Sequence, residues 1–308
     1  MSGIVHIGYH KTGTNWFQHH FYPHVRSHTY IRRPLVREAL LDIGAFKFDD
    51  TRATDVLGLD KGTLPILCEE ELSGNIHTGG LAGSLSKDLA YRIHSVLPDA
   101  TIVIFIRNQV SMIASSYKQY IREGGTYSVD AYLNTPAYWH NSGFRPAKAP
   151  HFTFDHFDYL PLIHHYQRIF GRENVKVYPF ESFVGDREVF AQQFAKDIHV
   201  AVDWKSVRYT SVNAPYRRVT LAVAKVLNRL TYRDVAYKRY WLNIPGFYRK
   251  RGKFLRALNK TPLAGPQVSP AHLLGEQWVD FIQNRYKEVN RQITEELKLP
   301  LPDLGYPY

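Results

Sequence analysis

The chain has 308 residues, 39 Lys and Arg against 28 Asp and Glu for a formal charge of +11, 44% hydrophobic residues and one cysteine. This is an ordinary globular composition, long enough to bury a sizeable core. The lone Cys68 excludes a disulfide framework and a Cys-rich zinc site, and points to a reducing compartment, with the cytoplasm as the expected location. No run of roughly 18 apolar residues occurs, and the N-terminal residues lack a basic stretch followed by a long apolar one, so neither a membrane span nor a signal peptide is expected.

In chain order, a short strand over residues 3–8 runs into a Gly/Thr turn over 9–14, and Trp16 to Tyr22 reads as the start of a helix. Two further apolar runs read as buried parallel strands. The first, Leu64 to Cys68, ends in Glu69, Glu70 and Glu71; the second, Thr101 to Ile106, ends at Arg107. Between them Leu85, Leu89, Ile93 and Val96 recur at helical spacing, as do Val110, Ile113, Ala114, Tyr117 and Ile121 after Arg107. A helix over 159–170, closed by Gly171, precedes a fourth strand over 174–180. The alternation predicts a parallel βα sheet. Residues 124–158, rich in Gly, Pro and aromatics, read as an irregular insertion, and 215–231 and 271–297 as helices.

The charge is regional. Residues 201–260 hold 15 Lys and Arg against Asp203 and Asp234, which puts that segment at +13 and the rest of the chain at −2. A local anionic partner is therefore expected. Aromatics are interleaved with these charges, a mixture that suits sugar stacking, an anionic membrane surface or nucleic acid. The helix over 215–231 offers an apolar stripe bordered by Arg217, Arg218, Lys225 and Arg229, although packing onto a sheet is the usual fate of such a stripe.

The most informative segment is Gly8-Tyr9-His10-Lys11-Thr12-Gly13-Thr14-Asn15-Trp16. A glycine-containing turn between a buried strand and a helix presents backbone N–H groups to a phosphate or sulfate. It is not a Walker A loop: Thr14 and Asn15 stand where Lys and Ser or Thr would follow, and the lysine lies inside the loop at Lys11. No Asp ends a neighbouring strand to hold magnesium, which disfavours a metal-dependent kinase.

Lys11-Thr12-Gly13-Thr14-Asn15-Trp16 resembles the 5′-phosphosulfate loop of sulfotransferases that use 3′-phosphoadenosine 5′-phosphosulfate (PAPS). Their second signature, a strand ending in Arg-Asn with a Ser eight residues after the Arg, is matched by Arg107, Asn108 and Ser115. Tyr286 to Arg291 followed by Gly305-Tyr306-Pro307 is similar to the tail of bacterial carbohydrate-type members. The resemblance implies an α/β, P-loop-like three-layer fold with a central parallel sheet and a C-terminal helical elaboration. It implies one domain over 1–308, with the insertion 124–158 and the basic segment 201–260 around the acceptor site.

Position by position, the resemblance implies that Lys11 contacts the sulfate and the bridging oxygen. Thr12, Gly13, Thr14 and Asn15 would wrap the 5′-phosphate, and Trp16 would lie against adenine. Arg107 and Ser115 would bind the 3′-phosphate, and Arg249 to Lys253 is similar to the Arg-Lys-Gly element that completes that site, which adds Arg251 and Gly252. No metal is implied. A base must take the acceptor proton. Glu70 is the expected one, with Glu69, Glu71 and the histidines His77, His140 and His151 as alternatives. His6 and His10 flank the loop; His10 is the one expected to line it, although packing is the commoner role for such a histidine.

The function expected is transfer of a sulfuryl group from PAPS to a hydroxyl or amine of a carbohydrate or glycolipid, leaving adenosine 3′,5′-bisphosphate, with peripheral contact to an anionic membrane surface. The rivals are a nucleotide or small-molecule kinase on the same fold and a basic nucleic-acid-binding module. The latter leaves the Lys11 loop and the Arg107/Ser115 pair without a role, so nucleic acid is not an expected partner.

Overall fold

A computed structural model of the chain describes residues 2–59, 62, 64–133, 150–210, 215–233, 235 and 238–308. The chain divides into two compact units, one of Met1–Asn108, Phe154–Val212 and Tyr286–Tyr308, the other of Gln109–Thr153 and Asn213–Arg285.

The first unit is built on a five-stranded parallel sheet: β1 (Ile4–Gly8), β2 (Thr29–Tyr30), β3 (Pro65–Cys68), β4 (Thr101–Ile106) and β5 (Val175–Pro179). The spatial order is β2-β3-β1-β4-β5, with Ile4 opposite Ile66 on one side and Thr101 on the other. The runs Ile-Val-His-Ile-Gly and Thr-Ile-Val-Ile-Phe-Ile are apolar on both faces because helices flank the sheet. This is an α/β fold of the P-loop-like kind. The chain leaves β1 toward β2 and β3 on one side and later returns to β4 and β5 on the other. The C-terminal end of β1 is thus the switch point where ligands of open α/β sheets collect.

Counting helices of eight residues or more, the chain forms α1 (Asp50–Leu57), α2 (Ser84–Val96), α3 (Gln109–Arg122), α4 (Tyr159–Phe170), α5 (Arg187–Asp197), α6 (Arg218–Leu227), α7 (Phe247–Asn259) and α8 (Glu276–Leu297). Ile4, Val103 and Phe105 pack in one core cluster with Trp16, Phe17, Phe21, Phe183 and Phe194 of α5. His6 belongs to the same face: its ring stacks on Phe105 at 5.1 Å, meets the edge of Phe17, and its Nδ1 lies 2.9 Å from the Tyr22 hydroxyl. Burying each such phenylalanine contributes about 1.5–3 kcal/mol.

The helix expected after the loop begins at Thr14, continues as a wider π-type turn over Phe17–Phe21 and tightens over Tyr22–His24, where Pro23 prevents regular continuation. The strand β2 has no signature in the sequence because it is two residues long. It is held by Thr29 N–H to the Leu64 carbonyl at 2.9 Å and Ile31 N–H to the Ile66 carbonyl at 3.0 Å.

In the second unit α6 packs on α3 and α7. The helix expected over 215–231 is shorter, because the buried Asn228 amide turns to the carbonyls of Ile121 and Gly125, at 2.9 and 2.6 Å. Its Thr220, Leu221 and Ala224 are buried, while Val219 and Val226 of the expected apolar stripe are 41% and 52% exposed. The helix expected over 271–297 is two, Pro270–Leu274 and α8, interrupted at Gly275 with φ 88°. Of the insertion 124–158, residues 134–149 lie outside the described residues, and His140 with them. The Cys68 thiol is free and buried. Among the described residues, no helix is long and apolar enough to cross a membrane.

Candidate functional site

The loop that leaves β1 has a backbone few residues tolerate. Gly8 and Gly13 have φ of 79° and 86°, and between them Lys11 adopts the left-handed region at 63°. A Cβ on Gly8 would sit 3.0 Å from the Cα and Cβ of Glu70, and one on Gly13 would sit 2.9 Å from a ring carbon of Phe183. Both positions therefore require glycine for space as well as for φ. A lysine in the left-handed region costs on the order of 1 kcal/mol, a strain that concentrates at ligand-binding turns. The Thr12 hydroxyl donates to the Tyr9 carbonyl at 2.5 Å and ties the loop to itself.

Among the described residues, three polar atoms at this loop are buried without a partner: the hydroxyl oxygen of Thr14, Nε of Arg107 and Nδ1 of His10. Arg107 follows β4, donates from Nη1 to the Lys11 carbonyl at 2.8 Å and lies over the Phe180 ring at 4.8 Å. Burial lowers its pKa, and Glu181, Tyr159 and Tyr306 oppose that without a direct ion pair to it among the described residues. Leaving such groups unsatisfied costs roughly 1–3 kcal/mol each, a deficit that an anion seated at the loop would remove. An anionic phosphosulfate fits this donor set. Asn15, the next residue, is exposed. Trp16 is a core side chain, 4% exposed, packed against Phe183 and donating its indole N–H to the Arg208 carbonyl at 2.7 Å. Its packing gives no support to a role against adenine.

The three glutamates after β3 have three different settings. Glu69 is fully buried and takes both arms of Arg33, at 2.5 and 2.9 Å, while its Oε1 also accepts the Glu71 N–H at 3.1 Å. Glu70, the expected base, has both oxygens engaged: Arg33 at 2.8 Å and Gln18 at 3.3 Å. Glu71 faces the loop. It lies 3.4 Å from Nε2 of His10 and accepts from the Asn75 amide at 3.2 Å. Burial alone would raise its pKa, but His10, Arg37 and Asn75 together hold it down at about 2. The other ring nitrogen of His10, Nδ1, is buried with no partner. A carboxylate that fixes one nitrogen of an imidazole and leaves the other available is an arrangement that can accept a proton.

Ser115, Arg251 and Gly252 belong to the second unit. Ser115 is half-buried on α3. Arg251 of α7 is buried, donates to the Arg122 carbonyl at 2.6 Å, lies over the Tyr248 ring at 4.8 Å and, like Arg107, has its Nε buried without a partner. A Cβ on Gly252 would meet nothing nearer than the Arg256 guanidinium at 3.5 Å, so packing does not demand glycine there. His77 and His151 are half-buried in loops. Among the described residues, no group of three or more His, Cys, Asp or Glu is placed to hold a metal ion.

Sequence reasoning missed the residues that fix Arg107. The Tyr159 hydroxyl donates to the Arg107 carbonyl at 2.7 Å. Glu181 accepts the Asn108 N–H at 3.0 Å and the Tyr306 hydroxyl at 2.7 Å, while the Asn290 amide reaches the Pro307 carbonyl at 2.8 Å. The C-terminal Tyr306-Pro307 is thereby tied to the end of β4. Glu181 stands two residues past β5, at the same carboxyl edge of the sheet as the β1 loop and Arg107.

No family model matches the chain, and no curated protein does. Among solved structures it is similar to a sulfotransferase from Alicyclobacillus acidocaldarius, with a TM-score of 0.50 and 18% identity over 77% of this chain and 98% of that one. At that identity the shared property is the fold: a parallel α/β sheet of the sulfotransferase type.

Proposed function

We propose that the chain transfers a sulfuryl group from PAPS to a hydroxyl, or amine, of a carbohydrate or glycolipid acceptor. The observation that carries this reading is the unsatisfied pair of buried donors, Thr14 Oγ1 and Arg107 Nε, beside a strained lysine at the switch point of the sheet. When bound, PAPS supplies an activated sulfuryl group on a phosphate leaving group. The Lys11 ammonium neutralises the charge that gathers on the bridging oxygen as its bond to sulfur breaks and it keeps the electron pair. Thr14 and the N–H groups of the first helical turn hold the 5′-phosphate, and Arg107 pairs with the anionic donor. Ser115 and Gly252 enter only through the resemblance, and Arg251 through the resemblance and its unpartnered Nε.

The acceptor oxygen forms the new bond to sulfur and loses its proton. Glu70 is committed to Arg33 and Gln18, so we assign the proton to Nδ1 of His10, with Glu71 fixing the opposite nitrogen. A carbohydrate acceptor is supported by the aromatic and basic residues of 201–260, which suit sugar rings bearing or adjoining anionic groups.

Calorimetry with adenosine 3′,5′-bisphosphate against AMP tests the donor assignment. The extra phosphate should tighten binding at least tenfold, since one charge-assisted contact is worth roughly 1.5–3 kcal/mol. Equal affinities would remove the 3′-phosphate from the site.

A further inference from the structure

Most of the exposed large apolar side chains described in the second unit lie in the most basic stretch of the chain. From Arg229 to Lys260 there are ten Lys and Arg and a single acid, Asp234. The same stretch exposes Tyr232, Tyr240, Trp241, Leu242, Ile244 and Phe254, with Trp241 64% and Leu242 59% accessible. Scattered apolar side chains are normal on a surface, whereas a consecutive aromatic and aliphatic group marks an interaction site.

The backbone beneath these side chains is anchored. The N–H groups of Trp241 and Leu242 both reach the Arg229 carbonyl, at 2.7 and 3.3 Å, and that of Ile244 reaches the Leu230 carbonyl at 3.2 Å. Tyr232 N–H donates to the Asn243 side chain at 3.1 Å, and Arg239 N–H to the Thr126 hydroxyl at 2.8 Å. Polar main-chain groups therefore turn inward while the side chains of Trp241, Leu242 and Ile244 stay in water. The Arg229 guanidinium lies over the Trp241 ring at 4.8 Å. Gly246, with φ 71°, then turns the chain into α7. That helix buries Arg251 and Leu255 and leaves Arg249, Lys250, Lys253, Phe254 and Arg256 exposed.

We infer that residues 229–233 and 238–260 form a peripheral docking surface for an anionic lipid bilayer. Trp241, Leu242 and Ile244 enter the headgroup boundary, and the exposed cations of α7 lie on anionic headgroups. The charge selects an anionic partner, and the aliphatic residues select which one. Leu242 and Ile244 offer nothing to a nucleic-acid backbone or a sugar, but they gain by leaving water for the acyl boundary, where tryptophan and tyrosine also partition. The surface is formed by other residues than the stripe expected on the helix over 215–231, whose exposed Val219 and Val226 have no aromatic neighbour in sequence. The inference does not depend on the sulfuryl-transfer reading.

The test uses the full chain with phosphatidylcholine vesicles, with and without roughly one third phosphatidylglycerol, at ~50 and ~500 mM salt. Co-sedimentation should require the anionic lipid and fall at least tenfold at the higher salt. Bromine-labelled lipid should quench tryptophan emission in the wild type and quench it much less in Trp241→Phe, a change small enough to leave folding intact. Trp241→Ser/Leu242→Ser and Arg239→Glu/Arg256→Glu should each weaken partitioning at least tenfold with unchanged melting. Absence of binding to anionic vesicles at low salt would overturn the inference. So would binding that is lost in the charge variant but equal to wild type in Trp241→Ser/Leu242→Ser, since that is the behaviour of a site for a soluble polyanion such as RNA or a sulfated glycan. Wild-type quenching matched by Trp241→Phe would overturn the entry of Trp241 into the bilayer.

Discussion

Nη1 of Arg107 donates to the main-chain carbonyl of Lys11 at 2.8 Å, so the residue that follows β4 holds the left-handed lysine of the β1 loop. One side chain thereby does two things: it fixes the direction of the Lys11 backbone and presents a buried guanidinium edge beside it. Replacing Arg107 should disturb both. Arg107→Ala should abolish the preference for adenosine 3′,5′-bisphosphate over AMP, and Arg107→Lys should retain only part of it because an ammonium lacks the planar fork. Calorimetry of the three proteins with both nucleotides checks this; an unchanged ratio in Arg107→Ala would assign the 3′-phosphate elsewhere.

Lys11→Ala should cost on the order of 100-fold in turnover while weakening donor binding much less, because its charge matters most as the bridging oxygen becomes anionic. Single-turnover transfer and donor titration separate the two effects. Gly13→Ala is a different kind of perturbation. Its Cβ would meet Phe183 at 2.9 Å at a φ of 86°, so it should lower stability by about 1–3 kcal/mol in urea titration before any chemistry is measured. A Gly13→Ala protein as stable as the wild type would contradict the packing described.

The three glutamates and His10 can be told apart by what each change removes. His10→Asn should slow transfer by 100-fold or more, in the range that a lost general base produces. Glu71→Gln should slow it less and alter the pH dependence of turnover, because the imidazole keeps a hydrogen-bond partner and loses a charge. Glu70→Gln should leave turnover within a few fold but reduce stability by roughly 1–2 kcal/mol, as Arg33 loses one charged partner and retains Glu69. If Glu70→Gln alone abolishes transfer while folding is intact, the base is Glu70 and His10 is a packing residue.

The sheet was legible because β1, β3, β4 and β5 are apolar runs bounded by turn or charged residues; only β2, two residues carried by its neighbours' hydrogen bonds, gave no periodic signal. The loop was legible because glycine and threonine spacing is a local property. The setting of the glutamates was not. Whether Glu69, Glu70 or Glu71 turns toward the loop depends on Arg33 and Gln18, which reach them from sequence-distant segments. The same holds for Trp16, for which the resemblance implied a place against adenine and whose ring packs against Phe183. A motif fixes where a residue starts, and tertiary contacts decide which way its side chain leaves.

His6 and His156 make the fold sensitive to acid. Burial lowers both rings to about 3, against an ordinary value near 6.5, so both are neutral in the folded chain at physiological pH. As pH falls through 6.5 the unfolded chain takes up protons that the folded chain refuses. Stability therefore falls with pH from about 6.5 down to about 3, where the folded rings also protonate. Each group contributes about 1.4 kcal/mol per pH unit within that window, or nearly 3 kcal/mol per unit for the pair. Glu71, held at about 2, adds to the loss as pH drops below its ordinary range near 4.5. His156→Phe separates the two rings, since His156 packs on Tyr9 and Phe157 and its Nε2 has no partner to lose. Urea titrations at pH 7.5, 6.5 and 5.5 should show the wild type weakening steeply over the last step and His156→Phe weakening about half as much. A wild-type stability that is flat between pH 6.5 and 5.5 would mean that these rings take up protons as readily in the fold as in the unfolded chain, and that water reaches them where the structure places aromatic side chains.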